Sequence, residues 1–170
     1  MYYQGKFKPK NKSKYKGDVN NIIYRSSWEL QVLKWCDIND TVLSYSSEEV
    51  VVPYFFDVDK QVHRYFVDFK INLVDGRTLL IEVKPERETI PPQGQRRTKR
   101  LMEEALGYIK NVNKWQAAEE YAKDRGWEFH IWTEKHLTEM GILKRQTKTK
   151  KDHIKPLPKL KPMKVKKSKK

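Results

Sequence analysis

His63-Arg64-Tyr65-Phe66-Val67-Asp68-Phe69 and Ile81-Glu82-Val83-Lys84-Pro85, joined through Val74-Asp75-Gly76, decide how this chain is read. Residues 61–73 and 77–84 have the Val, Ile, Phe and Tyr content of two long strands around a tight bend. Glu82 and Lys84 stand two apart, so on a strand they share a face. Whether Asp68 joins them depends on the bend, because facing positions of an antiparallel pair keep a constant sum. A two-residue turn at Asp75-Gly76 pairs Val74 with Arg77 and leaves Asp68 facing Val83, on the wrong side. A three-residue loop pairs Leu73 with Arg77 and sets Asp68 opposite Glu82. Such loops commonly place one residue in the left-handed region, where glycine is free to go, and Gly76 occupies that place. A shared site for the three residues therefore requires the three-residue loop. The same register puts Tyr65, Val67, Phe69 and Ile71 on one apolar face, met by Leu79, Ile81 and Val83. Phe66 and Leu80 fall on the other face, with Asp68, Glu82 and Lys84.

Two carboxylates side by side repel, and a half-buried anion is costly without a cation. A divalent metal held by Asp68 and Glu82, with the Val83 carbonyl as a further oxygen ligand, relieves that cost. Lys84 alone, as a cross-strand counter-ion on a solvated face, relieves part of it. Spacing does not separate these readings. If the metal is present, it activates a water, and the lysine offsets charge on a scissile phosphate.

Outward from this hairpin, Ser26-Ser27-Trp28-Glu29 fits a helix cap for 26–38, with Trp28, Val32 and Trp35 on one face. Strands are expected near 42–45 and 49–55, rich in Val and aromatics. After a polar loop at 86–95, helices are expected at 96–108 and 114–125, the second ended by Gly126. Residues 127–132 read as a strand, and Thr133 caps a last helix to Met140. The order predicts an α/β fold, a mixed β-sheet flanked by helices.

The 170 residues fit one domain and carry a formal net charge of +14, unevenly spread. Residues 1–17 hold six lysines and no acid; residues 144–170 hold thirteen Lys or Arg against Asp152 alone. The body, 18–143, holds seventeen basic and twenty-one acidic residues. Lysine-rich ends neutralise phosphates and release counterions, so a polyanion such as DNA is the expected partner; a solubilising tail is the plainer alternative. The chain is thus divided into a basic N-terminal arm, 1–17, a folded domain, 18–143, and a lysine-rich tail, 144–170. The tail is expected to be disordered in isolation, whereas Tyr2, Tyr3, Phe7 and Tyr15 offer anchors for the arm. No apolar run approaches the ~18 residues of a membrane span, and no secretory leader is read. Cys36 is the sole cysteine, which suits a buried thiol in a reducing compartment.

At Asp68 and Glu82-Val83-Lys84 the chain resembles the PD-(D/E)xK nuclease superfamily, whose fold is restriction-endonuclease-like. Val67 stands where that family usually has proline. The helix bearing Glu29 looks like the family's N-terminal acidic helix. Residues 114–134 look like the helix–strand unit of the nuclease domain in Tn7-type transposase A subunits. The phrases Tyr2-Tyr3-Gln4-Gly5-Lys6-Phe7, Tyr24-Arg25-Ser26 and Ser46-Ser47-Glu48-Glu49 are similar to the head-completion nucleases of T4-like phages.

The resemblance implies a metal-dependent DNA endonuclease, with exonuclease action as well, acting on packaged genome ends in head completion and head–tail joining. It implies Mg2+, with Mn2+ as a substitute, and a place in the host cytoplasm or on the virion. Portal or neck proteins are the implied partners, and no membrane. Asp68, Glu82, Glu29 and the Val83 carbonyl become metal ligands, and Lys84 orients water or steadies charge on phosphorus. Glu29 also has a plain role, completing the cap of its helix. Arg96, Arg97, Lys99 and Arg100 are candidates for gripping phosphate at a helix start, or form a solvated helix end. Gln116 is a candidate for touching the scissile strand, or is surface; Lys150 and Lys151 of the tail are assigned to DNA. His63 is read as structural or at the DNA edge, and the five tryptophans as mostly core. Two rivals stand beside the nuclease: a DNA-binding structural protein of the phage neck, and a transposase-type endonuclease subunit that needs a partner.

Overall fold

In the computed structural model, which describes residues 3–94, 96 and 98–144, Gly76 takes φ 91°. The strands on either side of it pair antiparallel, Phe69 opposite Ile81 and Ile71 opposite Leu79. The Leu73 amide donates to the Arg77 carbonyl across the bend, 2.8 Å. Extended by one step, this ladder sets Asp68 opposite Glu82, the register of the three-residue loop.

In chain order the elements are β1 (Gly5–Phe7), β2 (Ile22–Tyr24), α1 (Ser27–Ile38), β3 (Val42–Ser47), β4 (Val51–Phe56) and β5 (Gln61–Phe66). There follow β6 (Phe69–Leu73), β7 (Thr78–Val83), α2 (Lys99–Lys123), β8 (Glu128–Trp132) and α3 (Glu134–Glu139). The central sheet has the order β3-β6-β7-β8; β8 runs parallel to β7 and the other pairs are antiparallel. One face, with Tyr45, Phe69, Ile71, Leu79, Ile81 and Trp132, packs on Val32, Leu33 and Cys36 of α1 and Leu137 of α3. On the other face Leu80 packs with Ala118 and Ala122 of α2 and with Val52, Tyr54 and Tyr65. This is a restriction-endonuclease-like α/β fold, a mixed sheet flanked by helices.

Two expectations are corrected. First, the strand expected over 61–73 is two strands. It breaks at Val67-Asp68, where β5 leaves a two-stranded ribbon with β4 and β6 enters the central sheet. The Val67 amide donates to the Val50 carbonyl, 3.0 Å, and the Glu48 amide to the Asp68 carbonyl, 3.2 Å, so the crossing is held by the preceding connection. Alternation does not survive this corner. Tyr65 and Val67 join the core against α2, while Phe69 and Ile71 join the core against α1. Phe66, placed beside Leu80 by strict alternation, is instead exposed.

Second, α2 is continuous through 109–113, where a break between two helices was expected. Nothing in Ile109-Lys110-Asn111-Val112-Asn113 forbids helix, and asparagine costs little there beside proline. Asn113 is used laterally, donating from Nδ2 to Asp57 Oδ2, 2.8 Å, and so fastening the β4–β5 turn to the helix. The basic N-terminal stretch is woven into the fold over its described residues, with Phe7 and Tyr15 packed as anchors. β1 pairs with β2, and Tyr15 packs in the core edge-on to Tyr45. Buried Asp37 of α1 accepts from the amides of Lys10, 2.8 Å, and Asn11, 3.0 Å. Tyr2 and the tail from 145 onward lie outside the described residues.

Candidate active site

Asp68 stands at the corner between the ribbon and the sheet, and Glu82 and Lys84 stand at and beyond the end of β7. Asp68 Oδ2 accepts from the Val83 amide, 2.8 Å, which locks its side chain across the hairpin. Lys84 Nζ lies 3.3 Å from Glu82 Oε1, and Tyr65 donates its hydroxyl to Glu82 Oε2, 2.7 Å. Glu82 is buried, with 3% of its surface exposed, so each oxygen of that carboxylate has a specific partner. Burial and then the neighbouring Glu82 charge push the Asp68 carboxyl well above the ordinary carboxylate range; the Val83 amide and Lys84 oppose the rise. Burial and the same carboxylate push the Tyr65 phenol upward, keeping it a donor.

The expected trio of Asp68, Glu82 and Lys84 is thus brought together. Glu29 is close enough that its charge raises the Asp68 carboxyl further, but its Oε2 accepts from the Arg25 amide, 2.7 Å. Its own amide donates to Ser26 Oγ, 3.1 Å. The cap therefore closes on the residue before Ser26. Arg25 in turn makes a two-pronged contact with Glu48, 2.9 and 2.8 Å. The phrases around Arg25 and Glu48, far apart in sequence, meet beside Asp68.

Lys114 is a residue the sequence reading passed over. Its ammonium lies 5.1 Å from the centre of the Tyr65 ring. Burial lowers its pKa most, Glu82 and Asp68 raise it, and Lys84 lowers it, which places Lys114 in the same electrostatic pocket. A signal was present: Lys114, Ala118 and Ala122 recur every four residues, and both alanines are buried under the sheet. Gln116, the residue favoured on this helix, is exposed and borders a groove with Trp115, Phe129 and His130.

Among the described residues, none of the other expected contacts makes a hydrogen bond or ion pair with Asp68 or Glu82. Lys99 and Arg100 pair with Glu103 and Glu104 on their own helix, 3.9 and 2.8 Å. Arg96 is exposed, and Arg97, Lys150 and Lys151 lie outside the described residues. A cleft of about 500 Å³ between 87–92 and the first half of α2 is bordered by Arg100, Glu104 and Tyr108 but by none of the trio. His63 pairs with Asp59, 2.7 Å, on the ribbon, remote from a ligand role.

Among the described residues no group of three or more acid, histidine or cysteine side chains gathers as a cation cage. Two carboxylates suit magnesium, which is commonly bound through one or two carboxylates and keeps several waters. Burial first and the Glu82 charge second raise the Asp68 carboxyl, and a divalent ion would relieve both.

An acid at a strand junction, an acid-x-lysine on the neighbouring strand and a mixed sheet between helices define a nuclease core. Residues 39–134 match the family model described as TnsA-like endonuclease N terminal, and the chain belongs to that family. It is also 40% identical over 147 residues to the Head completion nuclease of Enterobacteria phage T4, across 84% of this chain and 98% of that protein.

Proposed function

We propose that this protein is a magnesium-dependent DNA nuclease of phage head completion, hydrolysing phosphodiester bonds of packaged DNA. The carrying observation is half-buried Asp68 beside buried Glu82, with Lys84 Nζ 3.3 Å from Glu82, in a chain 40% identical to a head completion nuclease. Asp68 and Glu82, with the Val83 carbonyl, are the residues to hold the ion, and Glu29 is a further acid within its field. When bound, magnesium supplies an activated water and offsets charge developing on phosphorus; manganese serves in its place. Lys84 neutralises a phosphate oxygen and orients the attacking water. Tyr65 holds the Glu82 carboxylate in place, and Lys114 adds a second positive charge above it. Arg96, Arg97, Lys99, Arg100 and Gln116 on and before α2, with Lys150 and Lys151, are the proposed phosphate contacts. The proposed setting is the host cytoplasm and the virion, beside portal or neck proteins.

Digestion of circular and end-labelled linear DNA with magnesium, against a chelator, tests this. Asp68→Ala and Lys84→Ala should each abolish cleavage while circular dichroism stays unchanged. Full activity in either variant defeats the proposal. A second readout needs no turnover: magnesium should raise the Tm of the wild-type protein and not that of Asp68→Ala.

A further inference from the structure

The outward face of the β4–β5 ribbon has no part in the site above. Its cross-strand partners are Val51 with Phe66, Pro53 with Arg64, and Phe55 with Val62, and all six side chains are exposed. The inward face, Val52, Tyr54 and Tyr65, is buried under α2. Phe55 and Phe66 are 49% and 45% exposed, unusual for phenylalanine on a well-formed strand. Each carries its own cation: Lys60 Nζ lies 5.9 Å from the Phe55 ring centre, and Arg64 Cζ lies 5.9 Å from that of Phe66.

The ligand this face fits has flat apolar surfaces and negative charge in alternation. The two turn acids do not oppose such a ligand from this side. Asp59 is tied to His63, whose ring lies against Tyr54 and Phe56, and Asp57 is tied to Asn113 of α2. Phe66 lies two residues before Asp68, so the face leads along one backbone into the candidate active site. The two rings sit four positions apart along the ribbon, about 13 Å, too far for one base to bridge.

We propose that this face is a stacking platform for unpaired bases of DNA, with Phe55 and Phe66 taking bases and Lys60 and Arg64 taking the adjoining phosphates. The proposal rests on the nuclease reading for its substrate and adds that the enzyme engages a single-stranded segment next to the bond it cuts. Stacking on aromatic rings is tolerant of sequence, because every base has a π-face.

The test uses the full chain carrying Asp68→Asn to prevent cutting. Binding of a labelled single strand of about twelve nucleotides and of a blunt duplex is measured at about 0.2 M salt, where non-specific phosphate binding is weakened. Phe55→Leu with Phe66→Leu keeps apolar area and removes both rings; it should weaken single-strand binding by roughly tenfold and duplex binding by less than about twofold. Phe55→Tyr with Phe66→Tyr should bind as the parent does. A leucine double variant that binds single strands like the parent, or loses duplex binding equally, overturns the platform. Cleavage by the protein without Asp68→Asn, run in parallel, separates the two ideas. Cutting with ring-independent binding sinks the platform alone; ring-dependent binding without any cutting sinks the nuclease reading alone.

Discussion

Asp68 is the residue whose environment carries the most consequence. Its carboxyl is raised above the unfolded value near 3.9, so the folded state binds its proton more tightly than the unfolded chain does. Without a divalent ion, stability is therefore lost as pH climbs from about 4 towards the folded pKa. Asp68→Asn removes that slope and keeps an oxygen for the Val83 amide. It should raise Tm at pH 7 by about 2–4 °C for each kcal/mol relieved, with the gain vanishing near pH 4. A thermal melt series in chelator checks this, and an unchanged pH slope would count against it. Tyr65→Phe should destabilise by about 1–3 kcal/mol, read by urea denaturation, because Glu82 then keeps a buried oxygen without a donor. The pairing of Asp68 with Glu82 was legible as a condition: parity ties it to a three-residue loop, which Gly76 permits and the structure adopts. Tyr65 was not: strict alternation places it on the wrong face, and the corner at Val67-Asp68 that corrects this has no local marker such as glycine or proline.

At the scale of elements, caps and turns were the most legible. Ser26, Gly76 and Thr133 carry their conformations in their own chemistry, a hydroxyl for free amides or the absence of a Cβ. The continuity of α2 was less so, because an asparagine-rich middle looks like a boundary until the ribbon docks against it. The helix is held close to the sheet by Ala118 and Ala122, both essentially without exposed surface. Ala118→Leu should overpack that seam and cost about 1–3 kcal/mol, visible as a lower urea midpoint. A midpoint equal to the parent's would mean that the ribbon moves aside freely. Lys114 sits one turn before Ala118 on the same side, so the strain should also displace its ammonium from the Tyr65 ring.

For the whole molecule, charge divides the labour. The body between the lysine-rich ends has more acids than bases, so the ends add a cationic surplus to the DNA contacts proposed within it. Deleting 144–170 should lower DNA affinity and flatten its dependence on salt, since fewer counterions are released; an unchanged slope in salt titrations would give the tail another partner. Fold class was readable at this scale from the order of strands and helices. Division into a ribbon and a separate four-stranded sheet was not, because both halves of 61–73 have the same strand composition. That division has a mechanical meaning. The ribbon and the sheet share no strand, and the backbone passes between them twice, through 48–50 and through Val67-Asp68. The two crossings are hydrogen-bonded to each other, so a tug on the ribbon is shared between them and arrives at the sheet beside the carboxylate, like a load carried through a pair of rivets.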